Sequence, residues 1–395
     1  MTRSLHTLGL IACGTKIAAG TAFYLILQIM NETCVDSPGA TKSEECPADE
    51  TRWKRSFFMS ALLFFGMSCT LIPFFIFRHG KPGVTELNKQ VFLNMLVPSL
   101  LEYVGQTLFM IGILSIPMSL SLTLKGGRVV FSALLLVVFL KRKLYGFHWA
   151  AVAATMAGLV IASLQSVMKP AKKSVSTSDA LTGVALILAG EFIRSLRTVV
   201  EEKLMKKMRY DALLVVGIQG AIGFLLTIPT LFVITAIKKN DGKPLEDISV
   251  TMSQFASSPV IYGLAMTYPF TVVGLFVSGA YVTKLMSAVH NALTTIITNG
   301  IVWGLSIIIH VIDSKRGEEI ELMSLVQLLG FLIVLLASLA YDAIIRLPYF
   351  TYPLDREAAS GTGSSEKSVL GITDSADNIS EATTKGESTE TAAKN

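Results

Sequence analysis

The sequence predicts an all-α membrane protein of ten transmembrane helices in two inverted-topology five-helix repeats. Three observations predict it. Hydrophobic residues make up 51% of the 395 residues and charged residues only 16%, with a mean hydropathy of +0.57, whereas an ordinary soluble domain carries roughly 25% charged residues. Apolar runs of about 20 residues, the length that crosses a bilayer, recur along the chain. They divide five and five about a Lys- and Ser-rich link, and an odd number per half makes the second half enter the membrane from the opposite side.

In chain order the runs lie near 8–30, 56–77, 91–114, 117–140, 145–166, 181–203, 211–236, 259–281, 286–311 and 322–345. The first follows Met1-Thr2-Arg3, is too long for a signal-peptide core, contains Lys16 and lacks a small-residue cleavage site, so it reads as a retained helix. The seam from Lys169 to Ser178 sets the expected organisation: a first repeat over 1–168, an inter-repeat loop over 169–180, a second repeat over 181–347 and a disordered cytosolic tail over 348–395. That tail is built from Ser, Thr, Glu, Asp, Ala and Gly, a composition with too little apolar surface to fold. Met156-Ala157-Gly158 in the fifth run is echoed by Leu329-Gly330-Phe331 in the tenth, small residues of the kind that let membrane helices approach closely.

Cys34 and Cys46 both fall in the hydrophilic loop after the first run, while Cys13 and Cys69 lie within runs. The loop pair forms either a disulfide, if the loop faces an oxidising lumen, or two unpaired thiols. Lysines and arginines are nearly balanced between the two sides, so the positive-inside rule barely discriminates. The acidic character of the cysteine loop places it outside or in a lumen, with both termini cytosolic.

The formal charge of +5 resides mostly in short loops flanking the runs, so no nucleic-acid partner is expected. The expected partners are a small-molecule solute and membrane lipid, with a homodimer left open. No phosphate-binding G-x-x-x-x-G-K-[ST] loop, no metal-ligand spacing among the five histidines and no nucleophile elbow is present. The expectation is a protein that is not an enzyme and needs no cofactor or metal.

Function is therefore sought in the ionisable residues inside apolar runs: Glu102, Lys125, Arg128, Glu191, Arg194 and Arg197. A charge near the bilayer centre costs at least about 2.5–3.5 kcal/mol, so such residues face a watery cavity or one another. Glu102 falls near mid-depth and is expected to pair with Lys125 or Arg128. It either couples transport to protons or forms a static salt bridge. Lys125 and Arg128 are three apart around Gly126-Gly127, on roughly one helix face, and either reach into a cavity or snorkel to headgroups. Glu191 and Arg194 are spaced for an intrahelical pair, with Arg197 a step further. Together with Glu201 and Glu202 they read as a structural or gating network. In the ninth run, His290, Asn291, Thr294, Thr295, Thr298 and Asn299 form a polar stripe, and Thr294, Thr298 and Asn299 are candidate substrate contacts alongside Glu102, Lys125 and Arg128. Setting Lys16, Lys125, Arg128, Arg194 and Arg197 against Glu102 and Glu191 leaves about three positive charges, which tilts the solute toward an anion.

The stretch from Pro98 to Gly126 resembles the F6-like members of the F branch of solute carrier family 35, within the drug/metabolite transporter superfamily. Pro98, Glu102, Gly105, Thr107-Leu108 and Leu124-Lys125-Gly126 carry the resemblance, with glutamate in place of an aspartate and lysine in place of an arginine. Val200-Glu201-Glu202-Lys203, Gly217, Gly220, Ile301-Val302-Trp303 and Leu305-Ser306 match further. The resemblance implies the ten-helix, two-repeat fold of nucleotide-sugar-transporter-like proteins, alternating access and an endomembrane location such as lysosome, vacuole or Golgi. Gln219 stands where the family has an acidic residue, Thr298 where it has a basic one, and Arg128 is an added charge. The expected function is secondary transport of a small polar, anionic organic solute such as a nucleotide sugar. The alternatives are a vacuolar or lysosomal exporter of amino acids, peptides or drugs, like the chloroquine-resistance relatives, and a non-transporting membrane scaffold.

Overall fold

The computed structural model describes residues 2–36, 46, 50–53, 55–78, 88–113, 116, 121, 124–140, 144–168, 177–237, 246–312, 322–341, 345 and 348. Within them the chain is almost wholly helical. The elements in order are α1 (Thr2–Glu32), the strands β1 (Cys34–Asp36) and β2 (Glu50–Arg52), α2 (Ser56–Ser68), α3 (Leu71–Phe77), α4 (Lys89–Gly112), α5 (Gly127–Leu140), α6 (Gly146–Met168), α7 (Thr177–Lys207), α8 (Ala212–Ala236), α9 (Ile248–Ser257), α10 (Pro259–Leu285), α11 (Ala288–Ile312) and α12 (Leu322–Tyr341).

Among the described residues, six spans are long and apolar enough to cross a membrane: Thr7–Glu32, Ser56–Phe77, Lys89–Gly112, Ala212–Ala236, Pro259–Leu285 and Ala288–Ile312. The apolar stretches of α5, α6 and α12 are shorter. Helix α7 has ample length at 31 residues, but Glu191, Arg194, Arg197, Glu201, Glu202 and Lys203 interrupt its apolar surface. Large apolar side chains stand bare on outer faces, among them Phe270 (78% exposed) on α10 and Phe232 (67%) on α8, as lipid contact requires. The chain is an integral membrane protein.

Three expected features are revised. The run 117–140 is not one described helix: Lys125 and Gly126 form a turn and α5 begins at Gly127. The run 56–77 breaks at Cys69–Thr70 into α2 and α3. There Gly220 of α8 sits against the backbone of Met67 and Ser68, so close that a side chain at 220 would displace it. The expected link 169–180 ends early, since α7 starts at Thr177; residues 169–176 and almost all of the expected tail lie outside the described residues.

Helices pair in a reciprocal pattern. Helix α1 packs on α10 as α7 packs on α4; α1 meets α11 as α7 meets α5; α2 meets α10 as α8 meets α4. Helices α2 and α8 pair with each other, as do α6 and α12. The largest core cluster fills the space among α1, α2, α4, α8 and α10, with Phe23, Phe64, Met67, Met95 and Tyr268 buried in it.

One end of the bundle is capped by the β1–β2 hairpin and α9. Cys34 and Cys46 are joined by a disulfide with a Cα–Cα distance of 5.9 Å. Trp53, fully buried, stacks edge-on against Phe58, which meets Phe255 of α9. The Asp36 carbonyl accepts from Gln254 Nε2 at 3.0 Å, and Gln254 Oε1 accepts from Arg55 Nη2 at 2.9 Å. Replacing Cys34 by serine is expected to lower stability by about 2–4 kcal/mol, as removal of a disulfide typically does. A thermal midpoint unchanged by the substitution would contradict that role.

The N-terminus of α2 receives no cap from its own N-cap residue, Arg55. Instead Glu246, in the link before α9, accepts from the Phe57 and Phe58 amides at 3.0 Å each. Burial lifts this carboxyl above the ordinary glutamate range, against the opposing pull of those amides and of Arg55. A raised folded-state pKa contributes stability that is full below the unfolded value and lost as pH rises through the folded one. The thermal midpoint of the protein, measured relative to Glu246→Gln, is therefore expected to fall as pH rises across that window. A pH-independent difference would show that Glu246 titrates alike folded and unfolded.

Candidate functional site

Helices α4 and α7 touch backbone to backbone at Gly105 and Gly190. A Cβ at Gly105 would lie 2.8 Å from Arg194 Cγ and 3.1 Å from the Gly190 carbonyl, and one at Gly190 would lie 2.9 Å from the Gly105 carbonyl. This contact, one turn from Glu102, brings its carboxylate level with the arginines of α7. Glu102 Oε2 lies 2.7 Å from Arg197 Nε and Oε1 lies 3.9 Å from Arg194 Nε. Arg197 Nη1 donates to Glu201 Oε1 at 2.5 Å and to Gln219 Oε1 at 3.1 Å, while Gln219 Nε2 donates to Glu201 at 2.6 Å.

The expected pairing of Glu102 with Lys125 or Arg128 is corrected by these distances. Arg128 turns to Glu191, donating from Nε at 2.9 Å and from Nη2 at 2.6 Å, and Arg194 Nη1 lies 3.4 Å from the same carboxylate. The α4–α7 glycine contact decides the outcome: it gives Glu102 the nearer arginines and leaves Glu191, fully buried, to α5. Ion pairs thus run from α7 to both α4 and α5. Glu202 lies further along α7, where it accepts from the Ala288 amide at the start of α11 at 2.7 Å and pairs with Lys206 at 3.0 Å.

Lys125 sits in the turn before α5, 5% exposed. Its ammonium donates to the Tyr24 hydroxyl at 3.2 Å and lies 4.5 Å from the centroid of the Tyr24 ring and 4.2 Å from that of Phe109. It forms no ion pair among the described residues. Arg194 approaches the same Phe109 ring at 5.3 Å.

Lys16 was not singled out from the sequence as a site residue. In the structure it crosses from α1 to the polar stripe of α11, donating to Thr294 Oγ1 at 2.7 Å, to Thr295 Oγ1 at 2.8 Å and to the Asn291 carbonyl. The legible signal was a lysine amid an apolar run facing no obvious counter-charge. Of the stripe, Thr298, Thr295 and Asn291 reach the cavity wall, whereas Thr294 is committed to Lys16 and Asn299 is buried away from the wall.

These groups surround a cavity whose empty volume, mouth included, is about 900 Å³. Lys16, Lys125, Arg128, Arg194, Arg197, Glu102 and Glu201 line it together with Phe23, Tyr24, Phe109, Tyr268 and Phe276. Counting Glu191 behind Arg128, five cations face three carboxylates, so the excess is two rather than the three expected from sequence. The difference is Glu201, which the structure turns inward onto Arg197.

Comparison with known proteins adds a fold and a family pattern. Residues 53–341 match the family described as the Triose-phosphate Transporter family. The chain is 27% identical over 310 residues to solute carrier family 35 member F6 of Rattus norvegicus, covering 76% of this chain and 81% of that protein. It is likewise 27% identical over 308 residues to the Homo sapiens protein of that name, covering 75% and 80%. A solved crystal structure with 12% identity superposes over 84% of this chain and 97% of its own with a TM-score of 0.55, a likeness of fold alone.

Proposed function

Because the chain belongs to the Triose-phosphate Transporter family and is thereby a membrane solute transporter, we propose that it is a secondary active carrier of a small polar, anionic organic solute, such as a nucleotide sugar. The observation that carries the charge preference is Lys125: a buried ammonium at the cavity wall, held by one hydroxyl and two aromatic faces, with no carboxylate paired to it among the described residues. An intramembrane charge in such a setting marks a solute pathway. A bound anion supplies the counter-charge it lacks.

The reciprocal helix pairing supports two five-helix halves, over 1–168 and 181–347, of inverted topology. Exchanging α1, α2, α4, α5 and α6 for α7, α8, α10, α11 and α12 reproduces each of the pairings described above. The cavity lies between them, where alternating access by rocking of the halves would place a solute site. A non-transporting scaffold would have no use for such a space. The Cys34–Cys46 disulfide supports an oxidising lumen on the hairpin side, hence cytosolic termini and an endomembrane location.

Uptake into proteoliposomes from a panel of nucleotide sugars, other organic anions, amino acids, peptides and cationic drugs tests this reading. Saturable uptake of an anion supports it. Uptake confined to cations or peptides would support the exporter alternative instead.

A further inference from the structure

The cations of the cavity are unequally committed. Arg128 gives Nε and Nη2 to Glu191, and Arg197 gives Nη1 to Glu201 and Gln219 while its Nε stands 2.7 Å from Glu102 Oε2 as a close ion pair. Lys16 meets three oxygens with its three ammonium hydrogens. Lys125 gives a single hydrogen bond, leaving two of its three donors unused among the described residues. Arg194 holds two carboxylates only loosely, Glu191 at 3.4 Å and Glu102 at 3.9 Å, and its buried Nε makes no hydrogen bond among the described residues. These two under-committed cations come from different elements, the turn before α5 and the middle of α7, yet meet at one ring, Phe109.

We infer that Lys125 and Arg194 form a subsite for one anionic headgroup, a carboxylate or a phosphate, attached to an apolar or aromatic body lying along the neighbouring rings. Two cations held close together in a poorly hydrated space repel each other until an anion bridges them, and charge-assisted hydrogen bonds of that kind are the strong ones. Phe23 lies 4.9 Å from both Tyr24 and Tyr268, centroid to centroid, so the wall beside the headgroup is a continuous aromatic surface. A polyhydroxylated body would need fresh hydrogen-bond partners there. The nearest hydroxyls on α11, Thr295 and Thr298, already donate to the Asn291 and Thr294 carbonyls. This inference rests on the reading of the chain as an anion carrier and narrows its solute, away from a sugar-bearing body and toward an apolar or aromatic one. It moves Arg194 from the supporting network to the solute and leaves Glu102 as the tie that holds Arg197.

The test is calorimetric titration of the full-length protein in lipid nanodiscs with four probes: 2-naphthoate, 2-naphthyl phosphate, inorganic phosphate and glucose 1-phosphate. At least one naphthyl probe is expected to bind about tenfold or more tighter than inorganic phosphate and glucose 1-phosphate, and the tighter of the two naphthyl probes identifies the headgroup. Lys125→Gln and Arg194→Gln are each expected to weaken that probe by about tenfold or more, while Lys125→Arg, which keeps the charge, stays within about threefold. Should Arg194→Gln fail to fold, the Lys125→Gln and Lys125→Arg pair decides alone. Glucose 1-phosphate binding as tightly as the naphthyl probes would overturn the aromatic body. Unchanged affinity in Lys125→Gln would overturn the headgroup subsite, and absence of binding by all four probes would overturn both parts. In each of those cases, continued uptake of some other anion by wild-type vesicles leaves the carrier reading standing; loss of that reading requires the uptake panel to fail as well.

Discussion

Glu102→Ala is expected to be the most damaging single substitution in the cavity, lowering stability by about 3–5 kcal/mol. Glu102 is 2% exposed and is the carboxylate through which α4 holds Arg197, with Arg194 alongside. Its removal leaves a buried guanidinium facing a gap on one side and only Glu201 and Gln219 on the other. Taking one member out of a buried ion pair costs more than the pair contributes, because the survivor has already left water. Glu102→Gln keeps the shape and one acceptor oxygen and is expected to lose less. The measurement is the thermal midpoint in detergent for both variants. Equal midpoints for Glu102→Ala and wild type would mean that the α4–α7 tie is not structural.

Lys125→Gln is expected to leave the fold intact and to reduce uptake of an anionic solute by about tenfold to a hundredfold, the loss of one charged hydrogen bond of roughly 1.5–3 kcal/mol. The fold survives because Lys125 holds no ion pair among the described residues and occupies a turn rather than a helix interior. The Lys125→Arg variant, which keeps a positive charge at this place, is expected to recover most of the uptake. Full activity in Lys125→Gln vesicles that carry normal amounts of folded protein would remove Lys125 from the solute path.

The apolar runs were legible because a bilayer demands them: nine of the ten sequence segments lie largely within one described helix or, for 56–77, a pair of helices, while most of the first part of 117–140, residue 114 and residues 342–344 fall outside the described residues. The breaks were less legible. Gly126 and Gly127 announced a close approach, but nothing local distinguishes a glycine pair inside a helix from one that ends it. Helix α9 and the hairpin are too short and too mixed in composition to register as periodic segments.

At the site, the identity of the charged residues was visible and their partners were not. Glu191 and Arg194 could be paired from spacing, since both lie on α7. The partner of Glu102 depends on which helix faces α4. That is decided by Gly105 meeting Gly190, a contact between residues far apart in sequence. Lys16 shows the same limit, as its three oxygen partners lie on α11, more than 270 positions away along the chain.

A carrier of this kind must open its cavity alternately to the two sides of the membrane. Thr298 lines it, on α11. The direct measurement is labelling of Thr298→Cys by a membrane-impermeant thiol reagent, in protein whose Cys13 and Cys69 are replaced by alanine and whose Cys34 and Cys46 stay joined. Alternating access predicts labelling from either side of oriented vesicles, slowed from both by a transported anion. Labelling from one side only, or from neither, would contradict it.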